Sequence, residues 1–315
     1  MKLQTQIPLS PEKHAIDYGS KVLLMGSCFT EQIGEKLAYF KFQQLRNPFG
    51  IVFHPIAIEK LITRAINETV FTEDEVFEND GNWYCFEAHS SLTATSAADL
   101  VSLLNANLER LHGYLLEASH IILTLGTAWV YRLIDSDSIV ANCHKIPQKK
   151  FIKELLTVEE ISASLARIHV LLSDVNPSAS LILTVSPIRH LKDGFVENGR
   201  SKAHLIAGVH DMVETYRGSY YFPSYELMMD ELRDYRFYGE DMLHPTNTAI
   251  EYIWEKFNAV WIADETAALQ KEIDSIQKGL QHRPFNSNSE KHQQFLQNLE
   301  LKIERIKEKI PTIAF

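Results

Sequence analysis

Lys21-Val22-Leu23-Leu24-Met25-Gly26-Ser27-Cys28-Phe29-Thr30 is the stretch on which the reading of this chain turns. Four consecutive apolar residues, Val22 to Met25, form a strand-length run that stops at a glycine. A helical pattern follows at once, with Ile33, Leu37 and Phe40 one turn apart over about 30–40 and Thr30 as its expected N-cap. The same alternation recurs. His120–Leu125 and Ser180–Val185 read as further buried strands, and Tyr220–Pro223 as a short final one. Helical stretches are expected over about 56–66, 97–116, 158–172, 201–216 and 246–262, with a hairpin around Asp80-Gly81-Asn82. Strands alternating with helices predict an α/β fold, a three-layer sandwich around a mostly parallel sheet.

The rest of the chain bounds the possibilities. Of its 315 residues 45% are hydrophobic and 23% charged, which is too apolar for wholesale disorder. Lys and Arg total 31 against 41 Asp and Glu, so the net charge is -10 and no nucleic-acid partner is expected. The apolar runs are far shorter than a membrane span, and the first residues lack the basic start and apolar centre of a signal peptide. The expected compartment is the cytoplasm, with no membrane partner. Cys28, Cys85 and Cys143 are widely spaced, without the Cys-x-x-Cys of a zinc site or the pattern of a disulfide scaffold. No metal and no cofactor are expected. After about 264 the composition becomes charged and glycine-poor. Residues 1–263 are expected to form the α/β domain and 264–315 a helical C-terminal extension, made of helices over 267–280 and 289–309 with a break at Arg283–Asn288.

Two motifs carry chemistry. Ser27 sits where a strand turns into a helix, at the carboxyl edge where open α/β sheets bind ligands and beside a helix N-terminus suited to an oxyanion. A capping role accounts for the same residue equally well. Asp241-Met242-Leu243-His244-Pro245 places a carboxylate three residues before a histidine, the pairing that fixes the tautomer of a general base. The order Ser, Asp, His in these contexts predicts a nucleophile, its orienting carboxylate and its base. Cys28 offers a thiol alternative, set behind Ser27 because it is expected to point into the helix as a small hydrophobe.

These motifs resemble the SGNH/GDSL hydrolase superfamily. More closely, Gly26-Ser27-Cys28-Phe29 with Asn47-Pro48-Phe49-Gly50, Gly126-Thr127-Ala128-Trp129, Asn142-Cys143-His144-Lys145 and Ser186-Pro187-Ile188-Arg189-His190 resemble the GSCFA family. The resemblance implies a flavodoxin-like sandwich, with Ser27 as nucleophile, His244 as base and Asp241 as orienter. It implies Gly50 as an oxyanion N–H donor, with Asn47 beside it. SGNH enzymes carry Gly-x-Asn where this chain has Gly126-Thr127-Ala128, so either Thr127 or Asn142 substitutes for the missing donor or the oxyanion hole has only two donors. His144, His89 and Arg189 are candidate substrate ligands, and Trp83, Tyr84 and Phe86 a candidate aromatic rim. The implied function is a serine esterase acting on an acyl ester of a small molecule or carbohydrate. Acyl transfer to a sugar hydroxyl and non-catalytic carbohydrate binding are the alternatives. The oligomeric state is not readable from the sequence.

Overall fold

The computed structural model describes residues 4–286 and 289–315, so the last two positions of the expected break at 283–288 lie outside the described residues. Its elements run β1 (Lys21–Gly26), α1 (Cys28–Tyr39), β2 (Gln43–Arg46), α2 (Pro55–Ile66), β3 (Val76–Asn79), β4 (Asn82–Cys85), α3 (Ala97–Glu117) and β5 (His120–Leu125). Then follow β6 (Trp129–Leu133), β7 (Ser138–Val140), β8 (Phe151–Leu155), α4 (Val158–Val175), β9 (Ser180–Val185), α5 (Phe195–Thr215), β10 (Ser219–Tyr221) and the short α6 (Ser224–Glu226). A wide helical turn at Leu227–Glu231 leads on to α7 (Asn247–Trp261), α8 (Ala267–Gln281) and α9 (Glu290–Lys309).

Five strands pair in parallel in the order β10-β9-β5-β1-β2. Renumbered along the sheet this is the flavodoxin-like order, whose switch point lies between β1 and β5. Side-chain alternation along the strands builds the layers. Leu23 and Met25 of β1, Ile121, Leu123 and Leu125 of β5, and Leu181, Leu183 and Val185 of β9 join one core with α2, α3, α4 and α5. Val22, Leu24, Ile122 and Ile182 point the other way, into a second core with α1 and α7. The expected sandwich is therefore present.

Local readings differ in several places, β2 among them, for which no strand was expected. The cap of α1 is Ser27 rather than Thr30, because the helix begins one residue after the turn. Helix α5 starts at Phe195, since Gly199 is accommodated within it. The segment 129–155, for which no strands were expected, forms a small antiparallel sheet in the order β7-β6-β8. The expected hairpin is there as β3 and β4, but Trp83 packs against the larger core rather than standing free as a rim. Helices α8 and α9 share a small core of Ile273, Ile276, Leu299 and Ile306, and α8 is tied to α1 through the Tyr39 hydroxyl, which donates to Asp274 at 2.9 Å. Among the described residues no helix is long and apolar enough to cross a membrane.

Gly26 ends β1 at φ +142°, and a Cβ placed on it would lie 2.2 Å from the Thr124 carbonyl oxygen of β5. Gly26→Ala is expected to destabilise the protein by at least about 2 kcal/mol, from backbone strain together with the clash. The shift in denaturation midpoint between wild type and variant measures it.

Candidate active site

Ser27 leaves β1 with its N–H donating to the Thr124 carbonyl at 3.0 Å, so the switch-point strands hold it on both sides. Its backbone is extended, and its Oγ accepts the Phe29 N–H at 3.2 Å while its carbonyl accepts the Thr30 N–H at 2.8 Å. The residue is fully buried. Those are the contacts of a helix cap. Cys28, the first residue of α1, is only partly buried, and its Sγ lies 3.7 Å from His244 Nε2. The side chain in contact with the histidine is thus the thiol, while the Ser27 hydroxyl caps the helix. At this turn one side chain is folded back over the helix end, and the next one projects.

His244 is oriented from behind. Asp241 Oδ2 contacts His244 Nδ1 at 2.6 Å, while Oδ1 accepts the N–H groups of Leu243 at 2.9 Å and His244 at 3.0 Å. With both oxygens engaged, chiefly by the two backbone donors, the carboxyl is held down at about 2. The carboxylate keeps the imidazole proton on Nδ1, so the bare Nε2 is directed at Cys28. The tight loop relies on Met242 at φ +59° and on the Gly239 N–H, which donates to the His244 carbonyl at 2.7 Å. Both Asp241 and His244 are about half exposed, so the site is shallow. Hollows also lie along the outer face of α2, around Ile56, Glu59 and Lys60, and between α7 and α8; chemistry rather than concavity locates this site.

The remaining expected residues distribute unevenly. Gly50 gives its N–H to the Asn47 carbonyl at 2.8 Å, which takes up the donor expected for the oxyanion. Asn47 buttresses the turn instead. Its Oδ1 accepts the Gly26 N–H at 2.8 Å, and its Nδ2 donates to Glu31 at 2.5 Å. The Thr127 hydroxyl is engaged with Ser201 Oγ at 2.9 Å, and the Gly126 N–H donates to the Phe53 carbonyl at 2.7 Å. Asn142 accepts the His144 N–H at 2.8 Å and so shapes its own loop. His144 is buried among Tyr84, Phe77 and Phe86, with Nε2 donating to the Cys85 carbonyl at 2.8 Å; it is a core histidine, not a surface ligand. His89 packs its Cβ where a side chain on Gly50 would go, and its Nδ1 contacts Ser91 Oγ at 2.9 Å. Arg189 stays beside the site. Its N–H reaches the Leu243 carbonyl at 3.4 Å, and its guanidinium lies 4.1 Å from the Tyr238 ring centre. The N–H of Cys28 itself belongs to the first turn of α1, where the helix offers no acceptor.

Helix α5 supplies residues that were not anticipated. Asn198 Oδ1 accepts the His190 N–H at 2.9 Å, Ser201 Oγ accepts the Ala128 N–H at 2.7 Å, and Lys202 Nζ donates to the Gly126 and Ser186 carbonyls, each at 2.7 Å. The available signal was periodicity. Lys202 falls on the stripe that continues through Leu205, Val209 and Met212, an apolar face on which a lysine is out of place.

The model of the GSCFA family matches residues 21–257, and that of the GSCFA domain protein, C-terminal domain, matches residues 273–315. No curated protein matches the chain. Among solved structures the chain is similar to an acetyl xylan esterase, Est2A, from the rumen bacterium Butyrivibrio proteoclasticus, at 10% identity and a TM-score of 0.35. That similarity covers 84% of this chain and 64% of the esterase.

Ser27→Ala is expected to lower stability by about 1 kcal/mol, the ordinary cost of a lost helix cap. Denaturation of the variant checks this. A cap also predicts that alkylation of Cys28 by iodoacetamide proceeds in the variant at close to the wild-type rate.

Proposed function

The chain belongs to the GSCFA family, and we propose that it hydrolyses an acyl ester with the Cys28 thiol as nucleophile, His244 as base and Asp241 as the carboxylate that orients it. The observation that carries this reading is the 3.7 Å approach of His244 Nε2 to Cys28 Sγ, with Asp241 2.6 Å behind the same ring. The acyl-ester class follows from the family's resemblance to SGNH/GDSL hydrolases. The serine of the original expectation becomes the cap that presents the cysteine.

In the proposed reaction His244 Nε2 takes the thiol proton as sulfur attacks the acyl carbon, forming a C–S bond and an oxyanion. The Cys28 N–H, at the positive end of α1, donates to that oxyanion. Collapse breaks the C–O bond, and the imidazolium returns its proton to the departing alkoxide. Water then attacks the thioester, with His244 accepting its proton, and the products are a carboxylic acid and a restored thiol. Asp241 stays ionised throughout and stabilises the imidazolium. Because burial pushes the Cys28 thiol up, the chemistry depends on removal of the proton by His244 during attack rather than on a free thiolate at rest.

Turnover of an activated ester such as p-nitrophenyl acetate should vanish in Cys28→Ala and after iodoacetamide treatment, and should persist in Ser27→Ala. Asp241→Asn is expected to slow it by about 100- to 10,000-fold, since the carboxylate no longer sets the tautomer. Loss in Ser27→Ala with survival in Cys28→Ala would return the nucleophile to the serine.

A further inference from the structure

Arg189 and Arg233 carry guanidinium groups that, among the described residues, form no ion pair. Arg189 instead lies over two rings, 4.1 Å from the Tyr238 ring centre and 5.6 Å from that of Tyr235. These four residues line a small cavity of about 100 Å³, whose apolar part is Met228 and Met229 from the wide turn at Leu227–Glu231. Met228 is fully buried, and the Tyr238 hydroxyl donates to Met229 Sδ at 3.4 Å. Asp234 is the single acid in the lining, and Arg236, from outside it, already engages that carboxylate. Oδ1 accepts the Arg236 N–H at 2.9 Å, and Oδ2 accepts Nη2 at 3.1 Å. In a chain of net charge -10, two unpaired guanidinium groups around one hollow are a local exception.

The cavity adjoins the loop that carries the base. The Arg189 N–H reaches the Leu243 carbonyl at 3.4 Å, and Tyr238 pairs with Pro245 in an antiparallel bridge. Both sequence neighbours of His244 therefore touch a residue of the lining. In the reaction proposed above, His244 Nε2 returns its proton to the departing alkoxide, so the alcohol portion of the ester lies at this imidazole. We propose that the cavity is a subsite for a carboxylate on the alcohol portion of the substrate, held by Arg189 with Arg233 as a second cation at the rim. This deepens the reading of Cys28 and His244 as an ester-hydrolysing pair, and rests on it.

The chemistry of the lining selects that guest. A guanidinium is planar and presents parallel N–H donors, which the two oxygens of a carboxylate accept as a pair. Contact with ring faces steadies its plane and attracts the cation without consuming its charge. The methionine side of the cavity excludes water, which strengthens the attraction relative to an open surface. Arg233 is exposed and brings its charge to the opening. Size sets the limit. About 100 Å³ is well below the roughly 300–1,000 Å³ of a site that encloses a whole ligand, so the cavity takes one group of the substrate rather than the substrate itself.

The test compares 4-acetoxybenzoate, an acetyl ester whose alcohol carries a carboxylate, with its methyl ester as the neutral counterpart. In the full chain kcat/KM should favour the acid, and Arg189→Gln should reduce that preference about tenfold, the loss of one charge-assisted pair. A wild type that treats both esters alike, or a folded Arg189→Gln protein that keeps the whole preference, overturns the proposal. Should Arg189→Gln not fold, Arg233→Gln at the exposed rim is expected to lower the same preference about threefold, and an unchanged preference there overturns it equally. Calorimetry reads binding without chemistry. 4-Hydroxybenzoate should bind the wild type about tenfold more tightly than methyl 4-hydroxybenzoate, and Arg189→Gln should remove that advantage. Tighter binding of phenyl phosphate than of 4-hydroxybenzoate would overturn the assignment of a carboxylate. Because calorimetry involves no ester, arginine-dependent binding without turnover would remove the functional reading alone, whereas turnover without preference would remove the subsite alone.

Discussion

The close approach of β1 to β5 at Gly26 is the constraint from which the site follows. With the Thr124 carbonyl only 2.2 Å from where a Cβ would be, the strand can end there only in a residue without one. The next N–H is received by that same carbonyl, which fixes the direction in which the chain leaves the sheet. From that exit Ser27 has a single place for its hydroxyl, over the first turn of α1, and Cys28 becomes the first side chain free to project from the carboxyl edge. Asn47 reinforces the arrangement from the adjacent strand end by accepting the Gly26 N–H. A backbone contact thus selects which of two adjacent side chains lies against His244.

The partner histidine arrives by a different route. Asp241 and His244 are linked through two contacts, and Asp241 also accepts the Leu243 N–H between them, so their geometry is local and travels with the loop. What the tertiary structure adds is the placement of that loop against α1, from a separation of 216 residues. Around this meeting point most polar groups are already paired. Gly50, Gly126 and Thr127 all use their donors or hydroxyls to hold loops in place. The candidate site is therefore braced by its surroundings and sparing in its free donors.

Polar burial on α5 has the same logic on a larger scale. A sheet edge carries carbonyls and N–H groups that no strand pairs, and loops there must find other partners. Asn198, Ser201 and Lys202 provide them from a single helix face.

What the sequence determined by itself was the layering and the local chemistry. Runs such as Val22–Met25 and Ile121–Leu125 alternate between two cores because a strand's side chains alternate, and no long-range information is needed to see it. Asp241 and His244 were legible for the same reason, since a carboxylate three residues from an imidazole meets it within one loop. Only the tertiary structure decided which of Ser27 and Cys28 lies against His244, because that depends on how the chain leaves the sheet after the Gly26 contact. It also decided that His144 belongs to an aromatic core, that Gly50 has given up its N–H, and that Lys202 is buried against the Gly126 and Ser186 carbonyls. Each of these depends on partners far apart in the chain, brought together by the packing of the sheet, and a residue's own neighbours in sequence carry no record of them.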